Sequence, residues 1–233
     1  MQVRDQSSMV FEWDLLRSDG STMSARINLT YIRDDDLLHC AIDDITDLKL
    51  AQSRLEFLAY HDPVTGLPNL QAAVDQLNQQ LHRLDRSSGI GIISLGLTGF
   101  RAFNGAYGHS MGDRLLKQVA TYLSCSLTAE FSIYRTTGAE FLLLAFGIVS
   151  RIGLRDACQQ VADLGGQRLQ VEDVEFHLHF KLGASLGPVD SCDAAKLMRK
   201  ASLAREHAKR DEDQPFRLYQ ARMSDELLHF IQT

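Results

Sequence analysis

Residues 90–97 (IGIISLGL) form an uncharged, apolar run eight residues long. Such a run suits a strand covered on both faces at the centre of a sheet. Helix-like and strand-like segments alternate around it. Residues 69–84 place Leu70, Ala73, Val74, Leu77, Leu81 and Leu84 on one face, and residues 111–123 turn Leu115, Leu116, Val119, Ala120 and Leu123 inward. Residues 131–135 and 141–146 read as two strands joined by a tight tip containing Gly138 and Glu140. A helix over 154–164, strands near 170–175 and 176–186, a helix over 193–209 and a strand at 216–219 complete the pattern. The order predicts an α+β fold: a β-α-β-β-α-β core with added helices and a hairpin, its helices on one side of the sheet.

The first 46 residues have a different character. Strand-like runs at 10–16, 22–32 and 37–45 are separated by Arg17-Ser18-Asp19-Gly20 and by Asp34-Asp35-Asp36, so a small antiparallel sheet is expected. Thr46 or Asp47 can cap a helix running to about Tyr60, with Leu48, Ala51, Leu55 and Leu58 at three-four spacing. Two heptads are too few to dimerise alone. The stripe suits either a helix packed on its own domain or a signalling helix between two domains. Near the end, residues 223–231 read as another amphipathic helix. The expected division is therefore 1–46, 47–60, 61–221 and 222–233.

With 45% hydrophobic and 23% charged residues over 233 positions, the composition is that of an ordinary globular protein. A net charge of −6 argues against a bulk nucleic-acid binder, which needs a basic face to displace counterions. No apolar run approaches the ~20 residues of a membrane helix, and no signal-peptide pattern opens the chain. Cys40, Cys125, Cys158 and Cys192 lie far apart, as expected of buried, reduced thiols in a cytoplasmic protein. His177 and His179 fall two apart on a strand-like stretch, where a metal site would need further ligands and a structural role needs none.

Three segments carry a more specific pattern. His61-Asp62-Pro63-Val64-Thr65-Gly66-Leu67-Pro68-Asn69 is a turn leading into a helix. Phe100, Arg101, Asn104, Gly108, His109, Gly112 and Asp113 follow at fixed spacing after Gly96. Thr137-Gly138-Ala139-Glu140-Phe141 forms the hairpin tip. Together they resemble the GGDEF domain, the catalytic module of bacterial diguanylate cyclases. The family patterns are H-D-x-L-T-G-L-x-N-R, D-x-D-x-F-K-x-x-N-D-x-x-G-H-x-x-G-D and Gly-Gly-Asp/Glu-Glu-Phe. Trp13, Arg17 to Ser21 and Asp44-Ile45-Thr46 are similar to the closing strands of a PAS domain. The resemblance thus implies a nucleotidyl-cyclase palm-like GGDEF core preceded by part of a PAS domain. It also makes 222–233 a linker helix of the kind that commonly joins a GGDEF domain to an EAL phosphodiesterase domain.

The departures from that pattern are as informative as the matches. In active family members the positions of Gly96 and Ala139 carry carboxylates that bind magnesium; here neither side chain has an oxygen. Thr98 and Gly105 replace two further acids, Leu70 replaces an arginine, and Asp213 stands where an arginine reaches phosphate. Joining two GTP molecules relies on metal ions clamping the triphosphate and activating the attacking hydroxyl. The resemblance therefore implies no catalytic residue and no resident metal, with Glu140 as a remnant and magnesium present only with residual GTP binding. Asn104 and Asp113 occupy the guanine-reading positions, although a turn and a helix start explain them equally well. Lys209 and Gly138 are candidates for phosphate. The product-binding R-x-x-D motif would fall at Thr128 and Phe131, which do not match it. Three functions follow: a non-catalytic regulatory module binding GTP or GDP and acting on an EAL domain or partner protein, a residual cyclase, or a nucleotide-free scaffold or homodimer.

Overall fold

The computed structural model describes residues 7–32, 37–83, 88–211 and 213–224. Two compact units divide the chain at Leu58 and Ala59.

In the first unit, β1 (Ser7–Leu16), β2 (Thr22–Ile32) and β3 (Leu37–Asp44) form an antiparallel meander in the order β1-β2-β3. Its first hairpin closes at Arg17–Ser21: the Arg17 amide donates to the Ser21 carbonyl at 2.8 Å. Asp19 accepts from both the amide and the hydroxyl of Ser21. The expected turn at 34–36 lies outside the described residues. Helix α1 (Thr46–Tyr60) then begins, close to the expected start. Beside its first residue, Asp44 Oδ1 accepts from the Thr46 amide at 3.0 Å and from the Thr46 hydroxyl at 2.6 Å. No residue of α1 is buried, so the apolar stripe of Leu48, Leu55 and Leu58 is uncovered along its length.

The second unit is built on β4 (Ile90–Leu97), all eight residues of which are buried. The five-stranded sheet has the order β10-β9-β4-β6-β5, with β5 (Phe131–Arg135), β6 (Glu140–Phe146), β9 (Phe180–Gly187) and β10 (Phe216–Leu218). β4 pairs antiparallel with both β6 and β9, whereas β10 joins β9 in parallel.

The expectation of helices on one side is corrected here. Ile93, Leu95 and Leu143 pack with α4 (His109–Ser126) and α5 (Arg151–Ala162) on one face of the sheet. Ile92, Leu142 and Leu144 pack with α2 (Leu70–Arg83) and α6 (Ala194–Lys209) on the other. A central strand apolar at both parities needs cover on both faces, and the amphipathic stripes of four helices supply it.

Other boundaries differ in smaller ways. Asn69 caps α2, its Oδ1 accepting from the Ala72 amide at 3.1 Å, and the helix is described to Arg83. Residues 100–107, read as part of a motif, form a separate helix, α3 (Phe100–Tyr107). β7 (Arg168–Val171) and β8 (Val174–His177) make a hairpin of their own, so His179 lies beyond β8 rather than beside His177 on one strand. Of the cysteines, only Cys158 is buried, and burial pushes its thiol up to about 12. Cys40, Cys125 and Cys192 are exposed because they fall on an uncovered strand, the outer face of α4 and a loop. The expected helix at 222–233 lies mostly outside the described residues, and no described helix is long and apolar enough to cross a membrane.

Candidate functional site

Side chains alternate across a strand, so residues of one parity share a face. Gly96 is paired with Glu140 on β6 and with Lys181 on β9, and these three positions face the side of the sheet covered by α6. What brings α6 close is Gly183, two residues along β9 from Lys181. A Cβ there would lie 1.9 Å from the Arg205 amide nitrogen and 2.3 Å from the Ala201 carbonyl oxygen. The helix rests directly on the strand backbone, and the Ser185 hydroxyl fastens it by donating to the Leu197 carbonyl at 2.8 Å.

This close approach carries Arg205 over the end of β4. The residue is 3% exposed, and its Nη2 bonds Glu140 Oε1 at 2.6 Å. A second acid, Glu206, lies 3.4 Å from the same nitrogen. A Cβ at residue 96 would lie only 3.0 Å from Arg205 Nη1, so the guanidinium occupies the space that a side chain at 96 would take. Arg205 Nε and Nη1 are buried with no hydrogen-bond partner among the described residues. Sequence reasoning missed Arg205 altogether. The available signal was its place on the buried stripe of α6 with Leu197, Ala201, Ala204 and Ala208.

The hairpin tip is braced by a second arginine that sequence reasoning did not single out. Arg135 is 5% exposed; its Nη1 donates to the Glu140 carbonyl at 2.9 Å and its Nη2 to the Gly138 carbonyl. The guanidinium also lies over the Phe141 ring, 5.1 Å from its centroid. Burial holds its pKa below the ordinary arginine value, against the opposing charges of Asp62, Glu140 and Asp113.

A cleft of about 1160 Å³ opens above these residues. It gathers most of the positions singled out in the sequence: Gly96, Ala139, Glu140, Gly138, Lys209 and Asn104 all line it. Asp113 does not. It is exposed on α4, whereas Asn104 turns its Oδ1 inward against Gly112, where a Cβ would fall 1.8 Å from that oxygen. Asn104 Nδ2 lies 3.4 Å from His109 Nδ1. Gly108, between α3 and α4, takes φ +83, a conformation costly to a residue with a Cβ. The spacing of this motif thus has a structural basis of its own.

Asp213 is exposed and stands apart from the cleft lining. His177 Nε2 meets Glu175 at 2.9 Å, and both His177 and His179 are exposed. The 61–69 turn is closed by its own bonds, with Asp62 Oδ1 accepting from the Thr65 amide and hydroxyl at 2.7 Å each.

Active members of the resembled family hold magnesium at the positions of Gly96 and Ala139, and the residues present here do not fit it. Magnesium takes several hard oxygens in near-octahedral geometry. Gly96 and Ala139 offer none from their side chains, and the Glu140 carboxylate is already bonded to a guanidinium. Among the described residues, no group of three or more His, Cys, Asp or Glu is placed to hold a metal ion.

The family model described as "Diguanylate cyclase, GGDEF domain" matches residues 59–215, and the chain belongs to that family. It is 29% identical over 194 residues to the cyclic di-GMP phosphodiesterase PdeR of Escherichia coli, covering 83% of this chain and 29% of PdeR. To the bifunctional diguanylate cyclase/cyclic di-GMP phosphodiesterase MucR of Pseudomonas aeruginosa it is 34% identical over 167 residues, covering 70% of this chain and 24% of MucR. The chain thus spans less than a third of either relative's length. Among solved structures, the GGDEF domain of TpbB (YfiN) from P. aeruginosa superposes with a TM-score of 0.64 at 22% identity, covering 72% of this chain and 99% of that one.

Proposed function

We propose that this chain is a non-catalytic regulatory module of cyclic di-GMP signalling, a GGDEF domain that binds a guanine nucleotide without joining two of them. The observation that carries the reading is the ion pair of Arg205 with Glu140 beside Gly96. The remaining acid of the site is neutralised by a tethered cation, at the place where catalysis needs a carboxylate and a metal. In this reading the N-terminal sheet is the closing part of a PAS domain and α1 relays its state. The nucleotide-bound domain then acts on an EAL domain or partner protein in the cytoplasm. Relatives named as a phosphodiesterase and as a bifunctional cyclase/phosphodiesterase, several times longer than this chain, support a place within a larger signalling protein.

Calorimetric titration with GTP, GDP and ATP tests the binding half of this reading. Each guanine hydrogen bond contributes only ~0.5–1.5 kcal/mol net, so base contacts alone cannot give tight binding. GTP and GDP are expected to bind with dissociation constants of about 0.1–1 mM, equivalent to ~4–5.5 kcal/mol, and ATP more weakly. Equal or undetectable binding of GTP and ATP overturns the nucleotide reading in favour of a protein-contact scaffold.

A further inference from the structure

Arg205 is 3% exposed and reaches the end of β4 and the hairpin tip together. Its Nη2 bonds Glu140 Oε1 at 2.6 Å and lies 3.4 Å from Glu206 Oε1, so one nitrogen serves both neighbouring acids. Glu206 is paired in turn with Lys209 Nζ at 2.7 Å. Among the described residues that line the cleft, Glu140 is the only acid, and this bond occupies it. The other side of the guanidinium faces Gly96: Nη1 is 3.0 Å, and Cδ 3.3 Å, from where a Cβ at 96 would fall. Nε and Nη1 are buried and meet no acceptor among the described residues. A buried cation with unmet donors thus adjoins the position whose carboxylate is missing.

We propose that Arg205 is a tethered stand-in for the divalent cation. It ties the hairpin tip to α6 through Glu140, fills the space beside residue 96, and bars a metal ion even where the lost carboxylates are restored. The inference rests on the non-catalytic reading above and deepens it: the loss of two carboxylates is only half of the change, and Arg205 is the other half. A divalent ion beside residue 96 would stand within a few ångströms of a fixed positive charge in a buried wall, where repulsion is strong. An aspartate restored at 96 meets Arg205 Nη1 first, and that charge-assisted bond takes the oxygen a metal would need. The same contact should stabilise the fold, because the new acceptor satisfies a donor that the parent leaves unmet. Gly96 keeps strand backbone outside the left-handed region, so a side chain there brings no conformational strain.

The test is thermal unfolding of the full chain in excess EDTA and in manganese chloride, with bound manganese counted from the loss of the free ion's paramagnetic resonance signal. The parent is expected to melt at the same temperature in both. Gly96→Asp is expected to raise the midpoint in EDTA by about 2–4 °C and to bind no additional manganese. Gly96→Asp with Ala139→Asp should likewise bind no more manganese than the parent. Adding Arg205→Met to that pair should admit one further manganese ion and make the midpoint rise with metal. Additional manganese bound by the Gly96→Asp, Ala139→Asp chain while Arg205 is present overturns the proposal. So does a Gly96→Asp chain that melts below the parent, or a folded triple variant that takes up no further manganese. If the triple variant does not fold, the first two variants decide alone. Manganese uptake by the Gly96→Asp, Ala139→Asp chain removes this inference and leaves the non-catalytic reading standing, which only cyclic di-GMP made by the parent would refute.

Discussion

Arg135 and Arg205 brace the same hairpin from opposite directions, one through backbone carbonyls and the other through the Glu140 carboxylate. Replacing Arg135 by methionine deletes two charge-assisted bonds and leaves the Gly138 carbonyl short of a donor, while the Glu140 carbonyl keeps the Thr136 amide and hydroxyl at 3.1 Å each. At roughly 1.5–3 kcal/mol for each bond to a charged group, the expected loss is about 3–6 kcal/mol, read from urea unfolding midpoints at constant slope. Asp113 poses a different question, because it is exposed on α4 and outside the cleft lining while Asn104 is within it. If Asp113 reads the guanine N1 and N2 donors, Asp113→Ala abolishes the preference for GTP over ATP in titration. An unchanged preference assigns it to the helix surface alone.

Among the elements, α6 decides what the cleft can do, and Gly183 decides where α6 lies. Gly183→Ala forces a methyl group against the backbone of residues 201–205. Overpacking of this kind typically costs ~1–3 kcal/mol, and backbone contact at 1.9 Å places this substitution at the upper end or beyond, measurable as a lowered thermal midpoint. The elements themselves were legible because apolar periodicity is local. β4 and the stripes of α2 and α4 could be read from spacing alone. The placement of helices on both faces could not, because it depends on which parity of β4 each stripe meets. Arg205 was missed for a related reason, since its burial depends on how closely α6 approaches β9. Only the close approach at Gly183 turns it inward. At the start of α1, Asp44 at the end of β3 accepts from Thr46. Bonds from the Thr46 hydroxyl and amide, then the Arg17 charge, hold the Asp44 carboxyl below the usual range. With the folded pKa depressed, its contribution is complete above the ordinary carboxylate pKa and is lost as pH falls through the folded value. Helical circular dichroism from α1 should therefore decline on acidification below about pH 4, and Asp44→Asn should flatten that dependence.

At the scale of the whole molecule, the boundary at Leu58 and Ala59 falls within α1, two residues before its end. The second unit reaches back only to Ala59 and Tyr60, whose carbonyls accept from the Asn69 side chain at 3.0 Å and amide at 2.8 Å. A chain beginning at Ala59 should fold alone and melt in one cooperative transition, whereas one beginning at Gln71 should lose stability along with the Asn69 cap. This unit belongs to a cyclase family, and we propose that it does not join two GTP molecules. The most direct test is chromatography of GTP incubated with stoichiometric protein, first in magnesium and then in manganese. No cyclic di-GMP above a protein-free control is expected. Cyclic di-GMP made by the unmodified chain and abolished by Glu140→Gln would contradict it, and would make Glu140 the carboxylate of a working site.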